Sequence, residues 1–184
     1  MAFVPTLDLH DNTIPGLLRR NAQRLPDNDC VVAPEFGIRW SWREFDRRTS
    51  VVARGLYAMG IRKGDRVALF MQNINEIIWL YLACSRAGAI AVPLSCYSKA
   101  AEIIYALNHC TARFLFASQA LFPTAKDVPA SIQSLERIFV VNAPEGGAAD
   151  AWQQALANAP AKADWPAIAP ADPAIILYTS GSTD

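Results

Sequence analysis

The residues best suited to chemistry stand at the end of the chain. An apolar run, Ala174-Ile175-Ile176-Leu177-Tyr178, leads directly into Thr179-Ser180-Gly181-Ser182-Thr183. Glycine lets a backbone turn closely around a ligand, and successive amides joined by hydroxyls can wrap phosphate oxygens. The run is not a Walker A loop, because no lysine follows the glycine at the required place. A polar terminal turn with no ligand is the alternative. The preceding apolar run favours phosphate binding, since open α/β sheets hold ligands beyond the carboxyl ends of their strands.

Other candidates carry less. His10 lies in the lead-in and His109 at the end of a helix, where a cation is electrostatically ordinary. Neither His109–Cys110 nor His10–Asp11 supplies a zinc ligand set, so no metal residue and no catalytic residue is assigned. Glu44 and Glu76 read as helix caps. Trp40 and Trp42, between Arg39 and Arg43, read as packing residues before they read as a nucleic-acid stacking platform.

The elements that must position the terminal loop follow a strand–helix alternation. Residues 1–28 read as a lead-in with one short helix around Leu17-Leu18-Arg19-Arg20. Cys30–Ala33 and Ile38–Trp40 form a hairpin across Pro34-Glu35-Phe36-Gly37. Ser41-Trp42-Arg43-Glu44 is a capping box, and Phe45, Thr49, Val52, Leu56 and Met59 mark one helix face up to Gly60. Arg66–Met71 is a strand covered on both faces. Asn73-Ile74-Asn75-Glu76 offers a second capping box, opening a buried helix through Ala87. Further strands are expected at 89–94, 112–117, 137–141 and 174–178. Helices are expected at 99–108 and 150–158, with a short one or irregular chain at 123–134 and a surface connection at 159–173. The fold class is α/β, layered, with a mainly parallel sheet and flanking helices, and residues 29–184 form one partial subdomain.

Composition bounds the rest. The 184 residues are 52% hydrophobic and 18% charged, which supports a packed core. Seventeen basic and seventeen acidic residues cancel, so neither nucleic acid nor anionic lipid is an expected partner. No uncharged apolar run reaches membrane-spanning length and no signal peptide is visible. Cys30, Cys84, Cys96 and Cys110 form no CxxC pair, and a reducing, cytoplasmic setting is expected.

The segment Asp172-Pro173-Ala174-Ile175-Ile176-Leu177-Tyr178-Thr179-Ser180-Gly181-Ser182-Thr183 resembles the opening of the phosphate-binding motif of the AMP-forming acyl-CoA synthetases, the adenylate-forming enzymes. Upstream pieces resemble that family in order and spacing: Trp40–Glu44, Gly60–Ala68, Asn73 with Glu76, and Gly88–Leu94. Asp184 departs from the pattern, standing where the family has glycine. The resemblance implies a parent ligase that joins a small carboxylic acid to coenzyme A with ATP and Mg2+, releasing AMP and pyrophosphate. Thr179, Ser180, Gly181, Ser182 and Thr183 would then hold the β- and γ-phosphates. It also implies that these residues are part of the N-terminal domain, inactive alone and prone to self-association along an uncovered sheet edge. The alternative is a non-catalytic interaction or dimerisation module.

Overall fold

The computed structural model describes residues 12–142, 156–160 and 164–179. Its centre is a four-stranded parallel sheet formed by β3 (Arg66–Phe70), β4 (Ile90–Leu94), β5 (Phe114–Ser118) and β6 (Arg137–Val141), in the spatial order β4-β3-β5-β6. The strands read as nearly unbroken apolar runs because both faces are covered. Val67 and Leu69 of β3 join one core cluster, and Ala68 and Phe70 join another on the opposite face.

The first cluster packs under α2 (Trp42–Ala58) and α3 (Asn75–Ala87), through Val52, Leu56, Leu80 and Ala83. The second packs under α4 (Ala100–Cys110), through Ile103 and Leu107. The chain moves one way along the sheet from β3 to β4 and the other way from β4 to β5. Two such crossovers keep the same hand only if their helices lie on opposite faces, and α3 and α4 do. The stretch between β5 and β6 holds α5 (Phe122–Ala125) and a short 3-10 turn at Val128–Ser131 on the α4 side.

Before the sheet come α1 (Ile14–Arg24), packed on α2 and α3, and an antiparallel hairpin of β1 (Asp29–Ala33) and β2 (Ile38–Ser41). Gly37 closes the hairpin turn at φ +64°, a conformation that favours glycine. The capping box forms as expected. Glu44 N–H donates to Ser41 Oγ at 3.3 Å, and Ser41 N–H donates to Glu44 Oε2 at 2.9 Å. Trp40 stacks on Phe45 with ring centroids 6.1 Å apart and lies under the Arg48 guanidinium, a packing role.

The second capping box does not form. A turn closed by Ile74 N–H to the Gln72 carbonyl delays the helix, so Ile74 is the cap residue and makes no side-chain bond. Glu76 therefore falls at the second helical position, out of reach of the cap amide, and its Oε2 is buried with no hydrogen-bond partner among the described residues. Burial of α3 is also uneven. Leu80 and Ala83 to Ala87 are buried, whereas Ile78 is exposed. Arg86 is among the buried residues, its charge paired with Asp46 of α2.

The last expected strand is reduced to one bridge. Ile175 pairs in parallel with Ala91: Ala91 N–H donates to the Ala174 carbonyl at 3.1 Å, and Ile176 N–H to the Ala91 carbonyl at 3.0 Å. In a parallel ladder, alternate residues of β4 face this outer edge, so the next donor would be residue 93. That residue is Pro93, which has no N–H, and the ladder stops there. Of the expected helix at 150–158, residues 150–155 lie outside the described residues, and Leu156 and Ala157 are helical.

Candidate functional site

Three successive anchors carry the chain to Thr179. The first is Lys63, in the turn before β3. Its Nζ donates to the Ala167 carbonyl at 2.8 Å and lies 2.6 Å from Asp172 Oδ2. Ala169 N–H also donates to Asp172 Oδ2 at 2.7 Å, and these donors hold the Asp172 carboxyl below its ordinary range, Lys63 foremost. The second anchor is the bridge of Ile175 to Ala91. The third is Tyr178, whose hydroxyl donates to the Ala106 carbonyl at 3.1 Å and lies 2.9 Å from His109 Nδ1. Burial, and the neighbouring Cys110 thiol, push the Tyr178 phenol up to about 12.

Alternation along this segment is strand-like even without a ladder. Ile176 and Tyr178 pack against the core under α4, while Leu177 is exposed. Thr179 is exposed as well. It opens onto a cavity of about 490 Å³ beyond the carboxyl end of β4, lined by Ser95, Tyr97, Glu102, Tyr105 and Tyr178. Glu102 accepts from Lys99 N–H at 2.8 Å, which closes the start of α4 beside the cavity.

Of the five residues predicted to bind phosphate, Thr179 is thus placed at a strand end, exposed, beside a cavity. Ser180, Gly181, Ser182 and Thr183 lie outside the described residues. His10 does too. His109 does more than close a helix end: its ring reaches Tyr178 from 69 residues away. Tyr105 and His109, four residues apart, share one face of α4, a spacing visible in the sequence, but nothing there pairs that face with residue 178. At the carboxyl ends of β3 and β5, Ser118 Oγ donates to Gln72 Oε1 at 2.6 Å, a part-buried polar link that the sequence did not suggest.

Among the described residues, no group of three His, Cys, Asp or Glu side chains could hold a metal ion. The buried Cys84 thiol is pushed up to about 12 and that of Cys110 is also raised, both chiefly by desolvation, so neither offers a ready thiolate.

A parallel sheet clothed by helices on both faces, with Thr179 beyond the carboxyl end of β4, is an open α/β architecture. Known proteins place it in a family. The family described as AMP-binding enzyme matches residues 18–183, and the chain belongs to it. The acyl-CoA ligase sidI of Aspergillus fumigatus is 39% identical over 106 residues, covering 58% of this chain and 18% of that protein. The crotonobetaine/carnitine–CoA ligase of Escherichia coli is 30% identical over 149 residues, covering 79% of this chain and 29% of that protein. The crystal structure of the N-terminal domain of FACL13 from Mycobacterium tuberculosis superposes with a TM-score of 0.79 at 27% identity, over 92% of this chain and 42% of that one. The chain thus spans less than a third of these two curated relatives' lengths.

Proposed function

We propose that the protein carrying this chain is an ATP-dependent, AMP-forming acid–thiol ligase. The observation that supports this reading is the delivery of Thr179, by three anchors, to an open cavity at the carboxyl end of the sheet in a chain of the AMP-binding family. In the reaction, a carboxylate oxygen attacks the α-phosphorus of ATP and pyrophosphate leaves. The thiol of coenzyme A then attacks the acyl carbon, and AMP leaves with one of the original carboxylate oxygens.

The role of this segment is to hold the leaving group. The hydroxyls of Thr179, Ser180, Ser182 and Thr183, with the close backbone approach that Gly181 permits, would orient the β- and γ-phosphates so that the α-phosphorus faces the acid. When bound, Mg2+ offsets the charge of the polyphosphate. The reading commits to a small carboxylic acid and to no chain length. The free thiols Cys30, Cys84, Cys96 and Cys110 support a cytoplasmic setting.

The test is carboxylate-dependent exchange of labelled pyrophosphate into ATP, with short aliphatic, medium-chain and aromatic acids as probes. Exchange with at least one acid is expected. In the double variant Ser180→Ala, Ser182→Ala, the KM for ATP should rise about ten-fold or more, the size expected for lost hydrogen bonds to a charged group. Absence of exchange with every acid class would overturn the reading.

A further inference from the structure

We propose that His109 is a positioning residue for the Ser/Thr/Gly segment, acting through Tyr178. Proton accounting at the phenol carries the argument. The Tyr178 hydroxyl has one proton, and it goes to the Ala106 carbonyl at 3.1 Å. In the tautomer with the proton on Nδ1, the imidazole donates across the 2.9 Å contact, and the hydroxyl is held from both sides, as acceptor to one residue of α4 and donor to another.

The rings reinforce this clamp. His109 meets Tyr178 edge-on with centroids 5.8 Å apart, and Tyr105 meets it edge-on at 6.5 Å. Tyr105 and His109 stack on each other at 5.7 Å. Burial keeps the Tyr178 phenol protonated at neutral pH, so its donor role persists.

The place of the clamp gives it significance. Among the described residues, the last backbone hydrogen bond before Thr179 is that of Ile176 to Ala91, because Pro93 removes the next donor. Side-chain bonds from α4 take over where the ladder ends, one residue before the hydroxyl-rich run begins. The root of that run is therefore set by a helix on the face of the sheet and by strand pairing only up to Ile176. This assignment of a role in ATP binding rests on the ligase reading; the mechanical coupling of α4 to the segment does not.

The experiment compares the variants His109→Ala, His109→Asn and Tyr178→Phe with the unaltered protein that carries this chain. Two readouts are taken: amide hydrogen exchange of the peptide from Asp172 to Thr179, which holds the Ile176 amide bonded to Ala91, and the KM for ATP and kcat in pyrophosphate exchange. In His109→Ala and Tyr178→Phe, exchange of that peptide should speed up roughly five-fold, the size expected from one neutral hydrogen bond, while the β3 and β5 peptides stay protected. The KM for ATP should rise by a similar factor with the KM for the acid unchanged. His109→Asn should recover both, because its amide N–H can take the place of Nδ1–H. Unchanged exchange in His109→Ala, an Asn variant no better than the Ala variant, or loss of protection throughout the sheet would each overturn the proposal. A protein with no pyrophosphate exchange at all would overturn the ligase reading instead, and the amide comparison would still decide the coupling.

Discussion

The ammonium of Lys63 lies 2.6 Å from Asp172 Oδ2, joining the turn before β3 to the segment that ends at Thr179. The same ammonium donates to the Ala167 carbonyl at 2.8 Å. One side chain thus fixes two points of a proline-rich connection whose backbone has little regular pairing of its own. Both charges are partly open to solvent, so the contact should guide the path of the chain more than it stabilises the fold. Lys63→Ala is expected to leave the melting temperature within about 2 °C of the unaltered protein. It should, however, speed amide exchange at Ile176, measured by mass spectrometry of the peptide that contains it.

Gly88 closes α3 at φ +75°, and a Cβ built there would stand 3.0 Å from Ile168 Cδ1 and 3.1 Å from Lys63 Cβ. The backbone conformation alone costs a non-glycine residue about 1–2 kcal/mol. Close packing then pushes against the same connection that Lys63 secures. Gly88→Ala should lower the midpoint of urea unfolding by an amount corresponding to about 2 kcal/mol. A midpoint unchanged within error would show that the turn and the connection yield freely.

At the amino ends of the strands, Arg113 binds Glu136 through Nε at 2.7 Å and Nη2 at 2.9 Å, donates to the Gly60 carbonyl at 2.9 Å, and pairs with Asp65. The hydrogen bonds from Arg113 are the main cause holding the Glu136 carboxyl below its ordinary value. A carboxyl lowered in the folded state contributes stability above its unfolded value, about 4.3, and that contribution fades as pH falls through the folded value. The melting temperature should therefore drop on acidification below about pH 4. Glu136→Gln should lose part of that dependence while changing less at pH 3 than at pH 7. Parallel melting curves for the two proteins across this range would contradict the assignment.

The sheet was largely legible in the sequence because its strands are apolar on both faces and separated by strong turn residues. β6 spans the five residues expected, Arg137–Val141. Ser41 and Glu44 announced α2 because a capping box is a local chemical pattern. Asn73 and Glu76 have the same pattern, yet the turn at Gln72–Ile74 shifts the helix start by one residue. Local spacing cannot reveal such a shift. Pro93 was visible, but its effect on Ile175–Tyr178 depends on which edge of β4 that segment meets. The clamp of His109 on Tyr178 was hidden for the same reason: it joins residues that only the crossover brings together. The hydroxyl-rich run stands out in the sequence, and its phosphate-binding role is a proposal; the anchors that lead to Thr179 were not legible.

In the proposed function, a carboxylate displaces pyrophosphate from ATP at the site this chain helps to build. The most direct measurement follows the oxygen atoms. A carboxylic acid labelled with oxygen-18 in its carboxylate is incubated with ATP, Mg2+, coenzyme A and the protein that carries this chain, and the nucleotide products are analysed by mass spectrometry. The account predicts AMP carrying one labelled oxygen, with unlabelled pyrophosphate and an acyl thioester. Formation of ADP with label in inorganic phosphate would mean attack at the γ-phosphorus, and would contradict it.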